Sequence, residues 1–448
     1  MTEHQLPQTS TPLDVLVCGA GIAGSAVAGL LQRSGHRVTL IERAGAHAPA
    51  GYMLALFPLA EDLFHALGLT EAYRRHSIEL ANYRLYDRHG ALLREDRLGE
   101  LMGAAGSYRG IGRAGLLQLL RSAAVPASYN TILTDLQVQG EQASVTLQNP
   151  ERQWTQRFDL AIVAEGMNSS TRTLLQVPTQ RLNTGWGGWV VWEETEGRRS
   201  VEPGGAAEPA SPATGSELLG NGYFMGAYPV PGATGFFLGG PSALCQAGPA
   251  GFLDTVYRGT GAIPQEFRTV GDTLMSQQHP YYWNLEDVRA SRWVSGPVVL
   301  LGDAAAGFLP TAGIGAGMAL DSAWLLAGAL AEHGRYPLPQ LLAGYLKAAR
   351  PRVLAAQDNS RRLARLMFRR SAAWAAVRDA LTRRASVAAC WARSAASSTP
   401  ARTSAGCCVK CEAHARRSLC LSRTVPAGAP RFADVQIDYV EEEACTLS

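Results

Sequence analysis

Asp14-Val15-Leu16-Val17-Cys18-Gly19-Ala20-Gly21-Ile22-Ala23-Gly24, followed closely by Arg37-Val38-Thr39-Leu40-Ile41-Glu42-Arg43, decides the fold. The opening run is short, apolar and rich in β-branched residues, as a strand buried on both faces is. Small residues then lead into a helix that reaches about Arg33, and Ser34-Gly35 stops it. Residues 37–41 read as a second strand ending at Glu42-Arg43. Such a β-α-β unit implies a parallel sheet with helices on its faces.

The turn between strand and helix carries the spacing Gly-x-Gly-x-x-Gly. Gly19 permits the tight turn, Gly21 lets a pyrophosphate approach the backbone, and Gly24 lets helix and strand pack closely. Ile22 and Ala23 open the helix, whose free N–H groups and partial positive charge suit phosphate. Glu42 closes the second strand, where its carboxylate would accept hydrogen bonds from ribose hydroxyls and repel a 2′-phosphate. A dinucleotide held here is FAD or NAD rather than NADP. The competing reading is a glycine-rich turn with a surface glutamate.

A second stretch separates FAD from NAD. Gly296-Pro297-Val298-Val299-Leu300-Leu301-Gly302-Asp303 is a buried strand that delivers Asp303 at its carboxyl end, the edge where open α/β sheets bind ligands. Pro310-Thr311-Ala312-Gly313-Ile314-Gly315-Ala316-Gly317 then opens a long helix. Its glycines would admit a flat ring, and its N-terminus would favour the negative charge of reduced flavin. Asp303 would accept from a ribitol hydroxyl, and Pro310 would border the flavin. A strand, turn and helix of purely structural use is the alternative.

The order of these motifs resembles the FAD-dependent class A monooxygenases of the para-hydroxybenzoate hydroxylase type. Matching pieces are the glycine loop with Glu42-Arg43, Arg113-Ala114-Gly115-Leu116-Leu117, the run from Asp159 through Glu165-Gly166 to Arg172, and Gly302-Asp303. Tyr345 and Arg350-Pro351-Arg352 are similar to the closing helix of that family, so the resemblance spans about residues 13–370. It implies that Arg113 contacts the FAD phosphates or ribityl chain, and that 159–172 lies near FAD and the nicotinamide donor. It also implies a cycle in which NADPH or NADH reduces FAD, O2 adds at the flavin C4a position, and the hydroperoxide hydroxylates an aromatic or polyketide-like substrate in a dry cavity. Three positions depart from the pattern: Glu165 replaces an Asp, Ala306 stands where many relatives carry His, and Gly317 where many carry Asn. Two other readings use the same fold: a flavin-dependent reductase or dehydrogenase, and a non-catalytic FAD-binding remnant. A halogenase is disfavoured, because Trp189-Val190-Val191-Trp192 does not supply the W-x-W-x-I-P segment.

The fold class expected is α/β: a Rossmann-like FAD-binding domain with a parallel sheet, an inserted, mainly antiparallel β substrate domain, and C-terminal helices. The FAD-binding domain takes residues 13–80, 101–178 and 283–384; 81–100 is a hairpin on the substrate side, 179–282 the substrate domain, and 385–448 a poorly ordered tail rich in Cys, Ala and Arg, or a shifted reading frame. Residues 200–216, rich in Gly, Pro, Ala and Ser, read as an exposed loop. Trp186, Trp189, Trp192, Tyr223, Phe224, Tyr228, Phe236 and Phe237 are candidates for the walls of a substrate cavity, with ordinary core as the alternative for each. No catalytic base is nominated; His279, Tyr281 and Tyr282 qualify only as titratable.

Composition narrows the function classes. Forty-one basic residues against 38 acidic ones leave a formal charge of +3, which argues against nucleic-acid binding by bulk charge. No apolar run reaches the roughly 18–20 residues of a membrane span, and residues 1–12 lack the order of a secretory signal, so a cytoplasmic protein is expected. Only Cys18 and Cys245 precede residue 390, which excludes a disulfide framework in the main body. Cys408, Cys411, His414 and Cys420 have zinc-ligand residue types but not a common finger spacing, so no metal is assigned. Arg361, Arg362, Arg365, Arg369 and Arg370 recur at helical spacing and read as a solvated face, with membrane-surface contact as the minor alternative.

Overall fold

The computed structural model describes residues 6–46, 51–102, 106–194, 213–277 and 280–384. The tail 385–448, with its cysteines, lies outside the described residues, as do His279 and residues 195–212. No helix among the described residues is long and apolar enough to cross a membrane.

A parallel sheet carries the strands in the order Val298–Leu300, Leu160–Val163, Asp14–Cys18 and Arg37–Ile41, with the short Val294–Ser295 antiparallel at one edge. Cys18 stands between Ile41 and Val163, and Val163 beside Leu300, so the strands' carboxyl ends are level. Val15, Leu16, Val17, Leu160, Ala161 and Ile162 are fully buried. That explains why these strands are continuous apolar runs without alternation. The helix Ile22–Arg33 packs against Gly315–Leu330 over this sheet. Sequence-distant stretches thus combine in one α/β layer, as expected.

A ten-stranded, mainly antiparallel sheet stands beside it among the described residues. Its centre is formed by Tyr281–Ala290, Thr179–Glu194, Ala233–Pro241, Phe224–Val230, Ala213–Leu219 and Ile78–Tyr86 in that order. Ala213–Leu219 pairs parallel with Ile78–Tyr86, the one departure from antiparallel order within that central run. The expected loop 200–216 is therefore too long: from Ala213 onward the chain is strand, and Gly215 and Ser216 are buried. The small residues Ala213, Gly215 and Ser216 continue the composition of the loop and hid the start of the strand. The expected hairpin is present as Ile78–Tyr86 and Leu92–Arg97, its turn held by Asp87, which accepts from the N–H groups of His89 and Ala91.

This sheet has two faces of different use. Trp189, Val191, Leu218, Met225, Phe236 and Leu238 form a separate core with Phe252, Val256, Phe267 and Leu274, from the helical segment behind it. Their neighbours along each strand, such as Val190, Leu219, Phe224 and Phe237, face the other way and join the main core. The period of 2 in a strand produces this division.

The described residues end with the helices Leu338–Met367 and Ala372–Arg384. Gln357 donates to the carbonyls of Val288 and Gly307, and Arg361 pairs with the fully buried Asp287. Arg361 therefore does not belong to a solvated basic face; Arg362, Arg365, Arg369 and Arg370 are exposed. Periodicity along a helix could not show the carboxylate waiting on a distant strand.

Candidate functional site

One large cavity of about 510 Å³ lies between the carboxyl edge of the parallel sheet and the main-core face of the antiparallel sheet. Gly19, Gly21, Ile22, Ala23, Glu42 and Arg43 line it at one end. Glu165, Gly166, Asp303, Pro310, Gly313, Gly315, Ala316 and Arg113 line it further along. The two glycine-bearing stretches, nearly three hundred residues apart in sequence, meet in a single chamber.

The first loop sorts its glycines by task. Gly19 has φ of 102°, a conformation that favours glycine, and a Cβ there would fall 2.5 Å from the Ala164 carbonyl oxygen. A Cβ at Gly24 would fall 1.8 Å from the Gly19 carbonyl oxygen, so Gly24 serves helix-to-turn packing and does not itself line the cavity. At Gly21 a Cβ would meet no protein atom within 4 Å. That open cradle faces the start of the helix Ile22–Arg33, which no side chain caps. Its first N–H groups are thus available to a ligand. Glu42 braces the loop from the opposite side, accepting from Ala20 N–H at 2.8 Å and Ala44 N–H at 2.9 Å.

The second stretch repeats the arrangement. Gly313, at φ of 61°, turns the chain into the helix Gly315–Leu330, whose N-terminus also lacks a side-chain cap. Asp303 faces the cavity, and enclosure by protein lifts its pKa to about 6, with Arg113 pulling it back down. Arg113 is fixed by its own N–H bond to the Tyr52 carbonyl, and its guanidinium lies 5.9 Å from the centre of the Tyr52 ring. Tyr52 stacks in turn on Trp283 at 4.8 Å. Gly302 opens with Asp303 onto a small adjoining pocket, and Gly317 is buried within its helix; neither lines the main cavity. Both sit a step beyond the residues that do, and spacing alone could not divide them.

Glu165 anchors the turn that carries it. Its carboxylate accepts from Ser169 Oγ at 2.7 Å, Thr171 Oγ1 at 2.7 Å and Thr171 N–H at 3.0 Å, tying the turn after the strand Leu160–Val163 to the next helical turn. Arg172, largely buried, reaches the carbonyls of Ala304 and Met167 and so joins this turn to the Asp303 segment. Ala306, buried in a two-residue strand against Tyr281–Ala290, does not line the main cavity.

The opposite wall is the antiparallel sheet: Val190, Phe224, Tyr228, Phe237, Tyr281, Trp283 and Leu285, with Tyr83, Tyr108 and Glu217. Of the expected wall aromatics, Phe224, Tyr228 and Phe237 are in place. Trp189, Tyr223 and Phe236 belong to the separate core on the other face. Trp186 stacks on Phe368, and Trp192 donates to the Gly51 carbonyl; neither is a lining residue. Tyr281 lines the cavity, whereas Tyr282 faces Trp189. Sequence reasoning missed Tyr52, Tyr83, Tyr108, Glu217, Trp283 and Phe368; for Glu217, between polar Ser216 and apolar Leu218-Leu219, no periodic signal was available.

These residues suit FAD: an open glycine cradle at an uncapped helix start, a carboxylate at the second strand end, and a second uncapped helix across the chamber. The comparisons agree. Residues 12–200 and 266–360 match the family described as FAD binding domain. The chain is 27% identical over 393 residues to the FAD-dependent monooxygenase asL6 of Sarocladium schorii, covering 77% of this chain and 86% of that protein. It is 28% identical over 360 residues to 3-amino-4-hydroxybenzoate 2-monooxygenase of Streptomyces cremeus, covering 78% and 86%. Among solved structures, Klebsiella pneumoniae HpxO complexed with FAD and uric acid shares the fold with a TM-score of 0.71 at 20% identity, over 86% of this chain and 97% of that one.

Proposed function

Because this chain belongs to the FAD binding domain family, that of the class A flavoprotein monooxygenases, we propose that its cavity hydroxylates a small aromatic or polyketide-like molecule at the expense of NAD(P)H and O2. The observation that supports this reading most is the meeting of the Gly19–Gly24 loop and the Asp303–Ala316 stretch in one chamber roofed by aromatic side chains.

Bound FAD supplies the redox chemistry, accepting electrons from the nicotinamide and delivering them to oxygen. The remaining work falls to the chain. Ile22 and Ala23, at the helix start beside Gly21, would hold the pyrophosphate through backbone N–H groups, and Glu42 and Arg43 would flank the adenosine ribose. Asp303 and Arg113 would hold the ribityl chain and phosphates, with Glu165 and Gly166 beside them. Pro310, Gly313, Gly315 and Ala316 would seat the ring, where the start of the helix Gly315–Leu330 favours negative charge. Phe224, Phe237, Trp283 and Leu285 exclude water from the reacting face and stack a planar substrate against it. Residues 179–282 serve as the substrate domain in this reading. The curated relative acting on 3-amino-4-hydroxybenzoate supports an aromatic substrate class.

The test is a screen of phenolic and polyketide compounds against purified, FAD-loaded protein. Stimulated NAD(P)H consumption with a product heavier by one oxygen atom is expected. Consumption with no oxygenated product from any compound would overturn oxygenation in favour of a reductase.

A further inference from the structure

The charged residues that line the cavity are Glu42, Arg43, Arg113, Glu165, Asp303 and Glu217. All but Glu217 stand among the residues assigned above to FAD. Glu217 lies on the sheet wall, on the strand Ala213–Leu219, and is only 7% exposed. Its partners are phenols. Tyr228, from Phe224–Val230, donates to Oε1 at 2.6 Å. Tyr83, from Ile78–Tyr86, approaches the same carboxyl, and Tyr108, just before Arg109–Gly112, lies near enough to sense its charge. No arginine, lysine or histidine lines this wall among the described residues.

The way Tyr228 reaches Glu217 is built into the sheet. Glu217 pairs directly with Gly226 on the neighbouring strand. A Cβ at Gly226 would fall 2.5 Å from the Tyr228 ring and hydroxyl, so the phenol lies flat over the glycine on its way to the carboxyl. Two positions on one strand are thus committed to holding this carboxyl toward the cavity.

Burying a carboxyl without a cationic partner is costly, and hydrogen bonds from phenols offset that cost only in part. We propose that Glu217 is the specificity-determining residue of the substrate pocket: it accepts a hydrogen bond from a hydroxyl group on an aromatic substrate and turns away substrates that carry a carboxylate at that end. The inference rests on reading the chamber as a substrate pocket. Burial raises the pKa of Glu217 while Tyr228 and Tyr83 pull it down, and the net rise makes it a stronger hydrogen-bond acceptor than an exposed carboxylate. A ligand carboxylate would meet like charge with no arginine to offset it. Discrimination here comes as much from repulsion as from the bond gained.

The experiment titrates FAD-loaded protein with 2-naphthol, 2-methoxynaphthalene and 2-naphthoate at about pH 8, following the flavin absorbance. Wild-type protein is expected to bind 2-naphthol about tenfold or more tightly than either other ligand. In Glu217→Gln, which keeps the side-chain volume and the acceptor for Tyr228, the preference over 2-naphthoate should shrink to about threefold or less. Equal affinity of the wild type for 2-naphthol and 2-naphthoate, binding of none of the three, or an unchanged ratio in Glu217→Gln would each overturn the proposal. The wild-type comparison decides alone if the variant is not recovered with flavin. NAD(P)H consumption is recorded in the same samples. If it is absent here and across the phenolic and polyketide screen while the Glu217-dependent preference persists, the oxygenase reading falls and the role of Glu217 stands.

Discussion

Arg361 meets Asp287 through two parallel hydrogen bonds, 2.6 and 2.8 Å long, and so fastens the closing helix to the strand that carries Tyr281 and Trp283. Asp287 is fully buried, and the guanidinium that neutralises it is largely enclosed. The pair raises the pKa of Arg361, so its guanidinium stays charged beside the buried carboxylate.

Arg361→Met leaves Asp287 buried and unpaired, which should cost about 3–5 kcal/mol of stability. The double variant with Asp287→Asn should recover part of that loss, because no uncompensated charge remains. Denaturant midpoints of the three proteins measure both effects; a single variant within about 0.5 kcal/mol of wild type would contradict the clamp.

Gly21 and Gly24 should fail differently. Gly21→Val adds a side chain where no protein atom stands, so the folded protein should form, with native circular dichroism, but lose bound flavin. Gly24→Ala drives a methyl into the Gly19 carbonyl and should lower the melting temperature of the apoprotein itself. Full flavin occupancy in Gly21→Val would place the pyrophosphate elsewhere.

Asp303 makes the apoprotein's stability depend on pH. Its folded pKa of about 6 lies above the ordinary value of 3.8, so its contribution is intact below about pH 4 and is lost as pH rises through 6. Asp303→Asn should therefore stabilise the apoprotein at pH 7.5 by on the order of 1–3 kcal/mol, with the gain vanishing near pH 4. Asp321, also raised to about 6 by burial, keeps a similar slope in both proteins and cancels in the difference. Paired thermal melts across that range give the answer; a gain that grows toward acid would reverse the assigned sign.

Glu165→Ala removes the acceptor of three hydrogen bonds and should cost about 1–2 kcal/mol, the scale of a lost helix cap. Glu165→Asp, one methylene shorter, should cost less. Equal melting temperatures for wild type and Glu165→Ala would show that the turn holds without its carboxylate.

The nucleotide half was legible because its chemistry is local. A strand, a glycine turn and a helix start are contiguous in sequence, and Asp14–Arg33 needs no distant partner to be read. The antiparallel sheet was less legible because its aromatics lie on strands with two buried faces. Trp189 and Phe237 look alike in composition, yet alternation sends one into the separate core and the other into the cavity. Glu217 was hidden in a different way, at the edge of a stretch whose glycines and prolines read as loop. Arg361 was misread because its partner lies 74 residues away on a strand.

The two-faced sheet also separates two kinds of change. A substitution at Val190 or Phe237 redraws the chamber, whereas one at Val191 or Phe236 disturbs only the packing against the helices behind. Neighbouring positions on one strand thus carry separate duties, and the outline of the chamber can change while the layer behind it keeps its shape.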